Sequence, residues 1–245
     1  MGILKSSLGF LVLAFAFFLC FIMSTSGDGS YVYLQFVQQW PPTTCRFSGK
    51  PSNNRRPLPI FTIHGIWPSN YSNPRMRSNC TGSQFKKILS PRLRSKLERA
   101  WPDVESGNDT KFWEDEWNKH GKCSEQTLNQ MQYFERSHQM WSSFNITNIL
   151  EKASIVPNAT QTWTYSDILS PIKAATQRIP LLRCKGNPQR QAKSQPKNRG
   201  KSQPKSQATT QFLHEVVLCY EYNALKLIDC NRTAGCWNNV DIKFH

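Results

Sequence analysis

The chain is poor in acidic residues, with 16 Asp and Glu against 31 Lys and Arg in 245 residues. Its formal net charge is therefore +15, and its sequence pI is about 9.6. A basic excess of this size favours a polyanionic partner such as RNA, DNA, a heparin-like sugar or an anionic membrane. The excess selects a class of partner and nothing finer, since it can also serve solubility alone.

Long apolar runs are missing from all but the N-terminus. Lys5 precedes an almost unbroken apolar run over residues 8–23, and small residues follow up to Gly27. The run is too short for a comfortable membrane span, so residues 1–27 are predicted to be a secretory signal peptide. We expect residues 28–245 to form a secreted, extracellular, monomeric single domain with no membrane span.

The mature chain has an odd number of cysteines, so one of them lacks a partner within the chain. Cys20 leaves with the signal peptide, and seven cysteines remain. In an oxidising compartment this number predicts three disulfides and one spare thiol. Six Asn-x-Ser/Thr sequons fit the secretory route and are predicted glycosylation sites: Asn70, Asn79, Asn108, Asn145, Asn158 and Asn231.

Residues 185–211 contain no acid and no large apolar residue, but seven Lys or Arg. The sequence KSQPK occurs there twice, at 193–197 and 201–205. Such a segment cannot bury enough surface to offset the entropy of ordering, so we predict a flexible basic insertion.

Aromatic and β-branched residues predict strands at 31–40 and 59–64. A helix is predicted to start at Ser90-Pro91, and two more over 128–144 and 166–177. Residues 212–222 and 224–230 predict a terminal hairpin. The predicted class is α+β.

Residues 112–123 read FWEDEWNKHGKC. On a helix, Glu116 and His120 are i, i+4 neighbours and Lys119 lies beside them, so three polar groups can converge on one small anion. The same pattern also suits a salt-bridged, solvated helix face. The zinc motif H-E-x-x-H is absent, because position 115 is Asp, and neither a metal nor another cofactor is predicted.

A second histidine, His64, ends the predicted strand PIFTIH and is followed by Gly65. That pattern predicts an imidazole at a strand end, beside backbone with room for a ligand. A lone histidine there is usually structural. Two histidines with a lysine and a glutamate suit acid–base catalysis, in which one imidazole takes a proton, the other gives one, and the cation holds a phosphate.

The segments FTIHGIWP (61–68) and FWEDEWNKHGKCSE (112–125) resemble the two active-site segments of the ribonuclease T2 family. The resemblance covers nearly the whole mature chain, from FVQQWPP (36–42) to HEVVLCYEYNALKLIDCNRTAGC (214–236). Within the family the sequence looks most similar to the self-incompatibility ribonucleases of rosaceous plants. SNYSNPRMRSNC (69–80) lies where their hypervariable segment is found.

The resemblance implies a central antiparallel sheet with packed helices, and metal-independent cleavage of single-stranded RNA through a 2′,3′-cyclic phosphate. It makes His120 the general base on the ribose 2′-OH and His64 the general acid on the departing 5′-oxygen. Lys119 and Glu116 would then stabilise the phosphorane. The implied disulfides are Cys80–Cys123, Cys184–Cys236 and Cys219–Cys230, which leave Cys45 as the spare thiol.

Contacts to the nucleobase are also implied. Gln39 and Phe112 match positions that contact the base in relatives, and Asp103 and Glu105 belong to the stretch that lines the same pocket. Trp67 or Phe112 can stack on a base, although either can equally be core. Asp115 stands where many relatives have histidine, and a carboxylate beside a phosphate site could lower activity.

The resulting hypothesis is a cytotoxin of the style that acts on self pollen, with single-stranded RNA as substrate and pollen F-box recognition proteins as partners. One alternative is a general extracellular or stress ribonuclease, against which the high pI and the SNYSNP segment argue. The other is a catalytically silent recognition protein on the same fold. The intact set of His64, Glu116, Lys119 and His120 argues against silence.

Overall fold

The computed structural model describes residues 31–71, 78–87, 90–186, 210–231 and 235–245. The predicted signal peptide lies outside the described residues, as do residues 187–209 of the predicted basic insertion and residues 72–77 of the SNYSNPRMRSNC segment. None of the described helices has the length and apolar content that a membrane crossing requires.

The described strands form one sheet of seven strands. Their bounds are β1 Tyr33–Gln39, β2 Thr62–Ser69, β3 Thr162–Trp163, β4 Leu181–Gly186, β5 Gln211–Glu221, β6 Leu227–Ile228 and β7 Ile242–Lys243. The main path runs β2-β1-β5-β7-β3, and β4 and β6 also pair with β5. The pairings are antiparallel except for the parallel pair β5–β7. The predicted antiparallel sheet is confirmed, and the parallel pair is an addition to it.

Six described α-helices accompany the sheet: α1 Pro41–Arg46, α2 Pro91–Ala100, α3 Asp109–Lys119, α4 Gln130–Ser143, α5 Ile146–Lys152 and α6 Tyr165–Thr176. The predicted start of α2 is confirmed, since the Ser90 hydroxyl accepts a hydrogen bond from the Leu93 N–H at 3.4 Å. The predicted helices at 128–144 and 166–177 are α4 and α6. The short helices α1 and α5 were not predicted, because six or seven residues carry little periodicity.

The two faces of β1 belong to different clusters. Leu34 and Phe36 join the large core, which also contains the fully buried Trp101 and Trp117 from the helical side of the molecule. Tyr33 and its neighbours on the opposite face join a smaller apolar cluster. Side chains alternate along a strand, so Gln35 and Gln39 share the face of Tyr33. The polar side chains around His64 lie on that face.

Two predicted boundaries are corrected. The strand predicted to end at His64 begins at Thr62 and continues to Ser69. Pro68 does not stop it, because β2 ends the path of described strands and an edge position tolerates the missing N–H. Lys185, Gly186 and Gln211, predicted to lie in the insertion, instead belong to β4 and β5, where Gly186 and Gln211 are register partners.

The three disulfides join the pairs that the resemblance implies: Cys80–Cys123, Cys184–Cys236 and Cys219–Cys230. Cys45 is free and buried in α1, and its thiol donates to the Val104 carbonyl at 3.2 Å. Two of the predicted glycosylation sites are N-caps, Asn108 of α3 and Asn145 of α5. Glycosylation of the six sequons stays a prediction.

Candidate active site

His64 lies at a β-bulge. Val37 of β1 pairs with Gly65 and Gln38 pairs with Ile63, so His64 is an extra residue without a register partner on β1. Residues three apart on a regular strand point to opposite faces, whereas a bulge shifts the alternation by one. His64 and Trp67 therefore share one face, and their ring centroids lie 4.9 Å apart. The bulge turns the imidazole into the polar site.

The imidazole of His64 lies between two carboxylates. Its Nδ1 is 2.7 Å from Glu215 Oε1, and its Nε2 is 3.9 Å from Glu116 Oε1. Burial lowers the pKa of His64, but the hydrogen bond and charge of Glu215, with the charge of Glu116, outweigh it and leave the pKa above its ordinary 6.5. His64 therefore keeps its proton to a higher pH than a solvated histidine and suits the role of a proton donor.

Helix α3 presents the buried Glu116 to β2. The Trp67 indole N–H donates to Glu116 Oε2 at 2.9 Å. Burial raises the pKa of Glu116, against the opposing effects of the His64 charge, the Trp67 hydrogen bond and Lys119. A Cβ added to Gly65 would lie 2.2 Å from Glu116 Oε2. This corrects the prediction about Gly65: its open space holds the Glu116 carboxylate rather than a ligand.

His120 and Lys119 stand at the C-terminal end of α3. His120 donates its backbone N–H to the Glu116 carbonyl at 2.9 Å, is 2% exposed, and has its ring centroid 5.2 Å from Trp67. Lys119 is exposed. The structure thus brings His64, Glu116 and His120 around the Trp67 ring, with Lys119 at the solvent side of the same helix end.

A cavity of about 120 Å³ adjoins His64. Its lining is Gln39, Thr44, Lys50, His64, Asp103, Val104, Glu105, Phe112, Lys185 and His214. Four predicted base contacts therefore meet at one cavity beside a predicted catalytic histidine. Among the residues that the structure describes, the Nε2 atoms of Gln39 and His214 are buried without a hydrogen-bond partner. Both residues line the cavity, so a polar ligand there is one candidate partner for each atom.

The other predicted contacts lie in different surroundings. The Asp103 carboxylate accepts from the N–H groups of Glu105 at 3.0 Å and Ser106 at 2.9 Å, so it holds its own loop. Trp67 does not line the cavity and is 6% exposed, with the Arg183 guanidinium 5.1 Å from its ring. Asp115 is exposed and pairs with Lys111 at 2.9 Å.

Among the charged or polar groups of the site that the predictions missed are Arg183, His214 and Glu215. A signal existed, because an adjacent His-Glu pair interrupts the otherwise apolar strand QFLHEVVLC. Buried charges in a strand are costly unless they are paired, so such a pair predicts partners elsewhere in the chain. Burial, reinforced by the charge of Lys185 among others and opposed by that of Glu215, lowers the pKa of His214 to about 4, which leaves this ring neutral near pH 7.

Known proteins match this chain over most of its length. It fits the model of the Ribonuclease T2 family over residues 31–230. It is 35% identical over 198 residues to ribonuclease MC of Momordica charantia, covering 80% of this chain and 93% of that protein. It is 32% identical over 214 residues to ribonuclease S-1 of Pyrus pyrifolia, covering 85% and 84%. A crystal structure of a ribonuclease MC1 mutant in complex with 5′-GMP has a TM-score of 0.71 at 33% identity, covering 88% of this chain and 100% of that one.

Proposed function

Because the chain belongs to the ribonuclease T2 family and is a metal-independent endoribonuclease, we propose that it cleaves single-stranded RNA through a 2′,3′-cyclic phosphate. The observation that carries this proposal is that two histidines, His64 and His120, both pack near Trp67, with ring centroids 4.9 and 5.2 Å from that of the indole. Two imidazoles held on one ring suit a reaction that needs one proton removed and one delivered.

In the proposed reaction, His120 takes the proton of the ribose 2′-OH, and the resulting oxygen attacks the adjacent phosphorus. His64 gives its Nε2 proton to the departing 5′-oxygen, and the products are a 2′,3′-cyclic phosphate and a new 5′-OH. The raised pKa of His64 supports the acid role, since Glu215 and Glu116 outweigh the effect of burial. His120 follows the last residue of α3, and the partial negative charge of a helix C-terminus favours the imidazolium that forms when it takes a proton.

In the proposed reaction, Glu116 acts on His64 and Lys119 acts on the phosphate. Trp67 holds the Glu116 carboxyl 3.9 Å from His64 Nε2, where its charge favours the cationic form of His64. Lys119, exposed on the same helix end, supplies a cation that can neutralise the charge growing on the phosphorane.

We propose that the cavity beside His64 receives a nucleobase. Phe112 offers a ring for stacking, and its centroid lies 5.9 Å from that of His64. Gln39 Nε2 offers a hydrogen-bond donor that has no partner among the described residues. The 5′-GMP bound to the mutant of the related ribonuclease MC1 shows a nucleotide on the same fold.

A labelled single-stranded RNA, incubated in EDTA, tests this chemistry. We expect cleavage with 2′,3′-cyclic phosphate ends, detected by mass spectrometry. A matched oligonucleotide with a 2′-deoxyribose at each cleavage position should resist, because it lacks the internal nucleophile. Loss of activity in EDTA, or cleavage at the deoxy positions, would overturn the proposal. Intact RNA in both samples would favour a catalytically silent recognition protein.

We further propose that the enzyme is secreted and acts in the style on self pollen. Among the described residues of the SNYSNPRMRSNC segment, Ser69 is buried, whereas Tyr71, stacked on Tyr33, is 46% exposed and Asn79 is exposed. Exposed side chains such as those of Tyr71 and Asn79 suit recognition by a partner such as a pollen F-box protein.

The tissue of expression and a pollen assay test this role. We expect the protein in styles, and pollen that carries the same haplotype should arrest when the protein is supplied. The same protein with residues 69–80 exchanged for those of another allele should change which pollen arrests. Expression throughout vegetative tissue, with no effect on pollen, would instead identify a general extracellular or stress ribonuclease.

A further inference from the structure

We propose that Glu215 is a positioning residue for His64. The buried carboxylate of Glu215 keeps a proton on His64 Nδ1 and so directs His64 Nε2 to RNA. The inference rests on the proposed acid role of His64. An ionised carboxylate can only accept hydrogen bonds, so the 2.7 Å contact from His64 Nδ1 to Glu215 Oε1 requires the proton on Nδ1. The remaining ring nitrogen faces Glu116, at 3.9 Å, and is the one available to a substrate.

The sheet brings these two residues together from distant parts of the chain. His64 stands on β2 and Glu215 on β5, separated by β1. Glu215 is the register partner of Gln39 on β1 and of Arg183 on β4. The bulge at His64 lets the imidazole reach across β1 on the same face. The contact is therefore built by strand order and by one inserted residue.

Arg183 fixes the second oxygen of Glu215. Its Nη1 donates to Glu215 Oε2 at 3.1 Å, and its Nη2 donates to Gln35 Oε1. Gln35 is held in turn by its Nε2, which donates to Ser69 Oγ at 3.0 Å. Each carboxylate oxygen of Glu215 thus has its own hydrogen-bond partner. The carboxylate cannot turn away from His64 without breaking the hydrogen bonds that link Arg183, Gln35 and Ser69.

Several charged or titratable groups surround His64. They are Glu215 and His214 on β5, Arg183 and Lys185 on β4, Glu116 on α3, and Lys50, Asp103 and Glu105 around the shared cavity. Burial opposes ionisation of Glu215, yet the hydrogen bond to His64 and the charges of His64, His214 and Arg183 hold its pKa well below the ordinary range. Glu215 therefore stays an acceptor through the working pH range.

The competing interpretation is a purely structural ion pair between Glu215 and Arg183. Such a pair would matter for stability, but it would leave the tautomer of His64 and the pH dependence of cleavage unchanged. The two interpretations therefore differ in readouts other than folding.

The test compares Glu215→Gln with Glu221→Gln. Glu221 lies on the same strand and pairs with Lys226 at 3.7 Å, away from the site, so it is a matched control. In Glu215→Gln we expect kcat to fall about 10- to 10⁴-fold with KM little changed. A proton donor works only while protonated, and loss of the Glu215 charge lowers the pKa of His64. The alkaline limb of the kcat/KM profile should therefore move to lower pH, while the control keeps the parent profile.

A second measurement uses the unmodified protein labelled with ¹⁵N-histidine, so it does not depend on the variant folding or on RNA cleavage. Above its pKa, the neutral His64 ring should carry its proton on Nδ1. A proton on Nε2 would overturn the inference, as would a folded Glu215→Gln variant with the parent pH profile. If RNA is not cleaved at all, the proposed function fails, while the NMR result still decides the role of Glu215.

Discussion

The two histidines of the site are supported in different ways. His64 sits on a strand bulge and has its hydrogen-bond partner in Glu215, 151 residues away in sequence. His120 is held by the end of its own helix, four residues after Glu116, with its ring against Trp67. A carboxylate network favours the cationic form of one ring, and a helix C-terminus favours that of the other. The proton donor thus depends on a side-chain charge that is distant in sequence, and the proton acceptor depends on the backbone dipole of its own helix.

The largest expected effect is loss of either ring. His64→Ala and His120→Ala should each lower kcat about 10²- to 10⁴-fold, because each imidazole carries one proton transfer. Steady-state cleavage of a dinucleotide, with thermal unfolding measured in parallel, checks this.

The double variant extends the comparison. If the two rings act as one unit, the double variant should lose little more than either single variant. Equal activity of either single variant and the parent would remove that residue from the mechanism.

Gly65→Ala should disturb the proton transfers of both His64 and His120, since both rings lie close to Trp67. The added Cβ would meet Glu116 Oε2 at 2.2 Å and Trp67 Nε1 at 2.6 Å, so the carboxyl and the indole must separate. A hydrogen bond to a charged group contributes about 1.5–3 kcal/mol, which corresponds to about 10- to 10²-fold in rate. Kinetics of Gly65→Ala beside Trp67→Phe, which removes only the N–H, measures this.

Comparison of the two variants separates loss of the hydrogen bond between Trp67 and Glu116 from displacement of the strand. Similar losses in Gly65→Ala and Trp67→Phe would assign the effect to the bond between Trp67 and Glu116. A larger loss in Gly65→Ala would show that the position of the strand itself matters. Full activity in both would mean that Glu116 needs no fixed position.

The sequence predicted the local half of this comparison well. The spacing of Glu116 and Lys119 on one helix, with His120 as the residue after it, could be read directly, because α-helical geometry fixes i, i+3 and i+4 neighbours. The bulge at His64 could not be read, since it depends on pairing with β1 and leaves no mark in the residues PIFTIH. Glu215 and Arg183 were missed for the same reason: their meaning comes from strand order, which a single sequence does not state.

A smaller effect, on stability, is expected from substitution of Cys45, which lies next to the cavity that adjoins His64. Its thiol donates to the carbonyl of Val104, which lines that cavity, and burial raises its pKa. We expect no thiol labelling of the native protein over minutes and one labelled thiol per chain in denaturant without reductant. Cys45→Ala should cost about 1 kcal/mol of unfolding free energy, measured in urea, while Cys45→Ser keeps a donor and should cost less. Rapid labelling of the native protein would contradict the burial of Cys45.

The smallest effect on catalysis is expected from excising residues 187–209, which carry six Lys or Arg and follow the last residue of β4 in the sequence. Gly186 and Gln211 are register partners, so a short Gly-Ser bridge can join the strands. Dinucleotide turnover should stay within about two-fold, because every predicted catalytic residue lies elsewhere and a dinucleotide offers few phosphates. Capture of long RNA at low salt should weaken, and its log-log salt slope should flatten by about 0.7 for each phosphate that the insertion no longer binds.

A full-length variant with the six Lys and Arg residues of the insertion changed to Gln is the matched control, and it should behave like the excised protein if charge alone matters. Unchanged capture and slope in both variants would show that the insertion has no role with substrate, and long RNA would then be held by the His64 and His120 site itself.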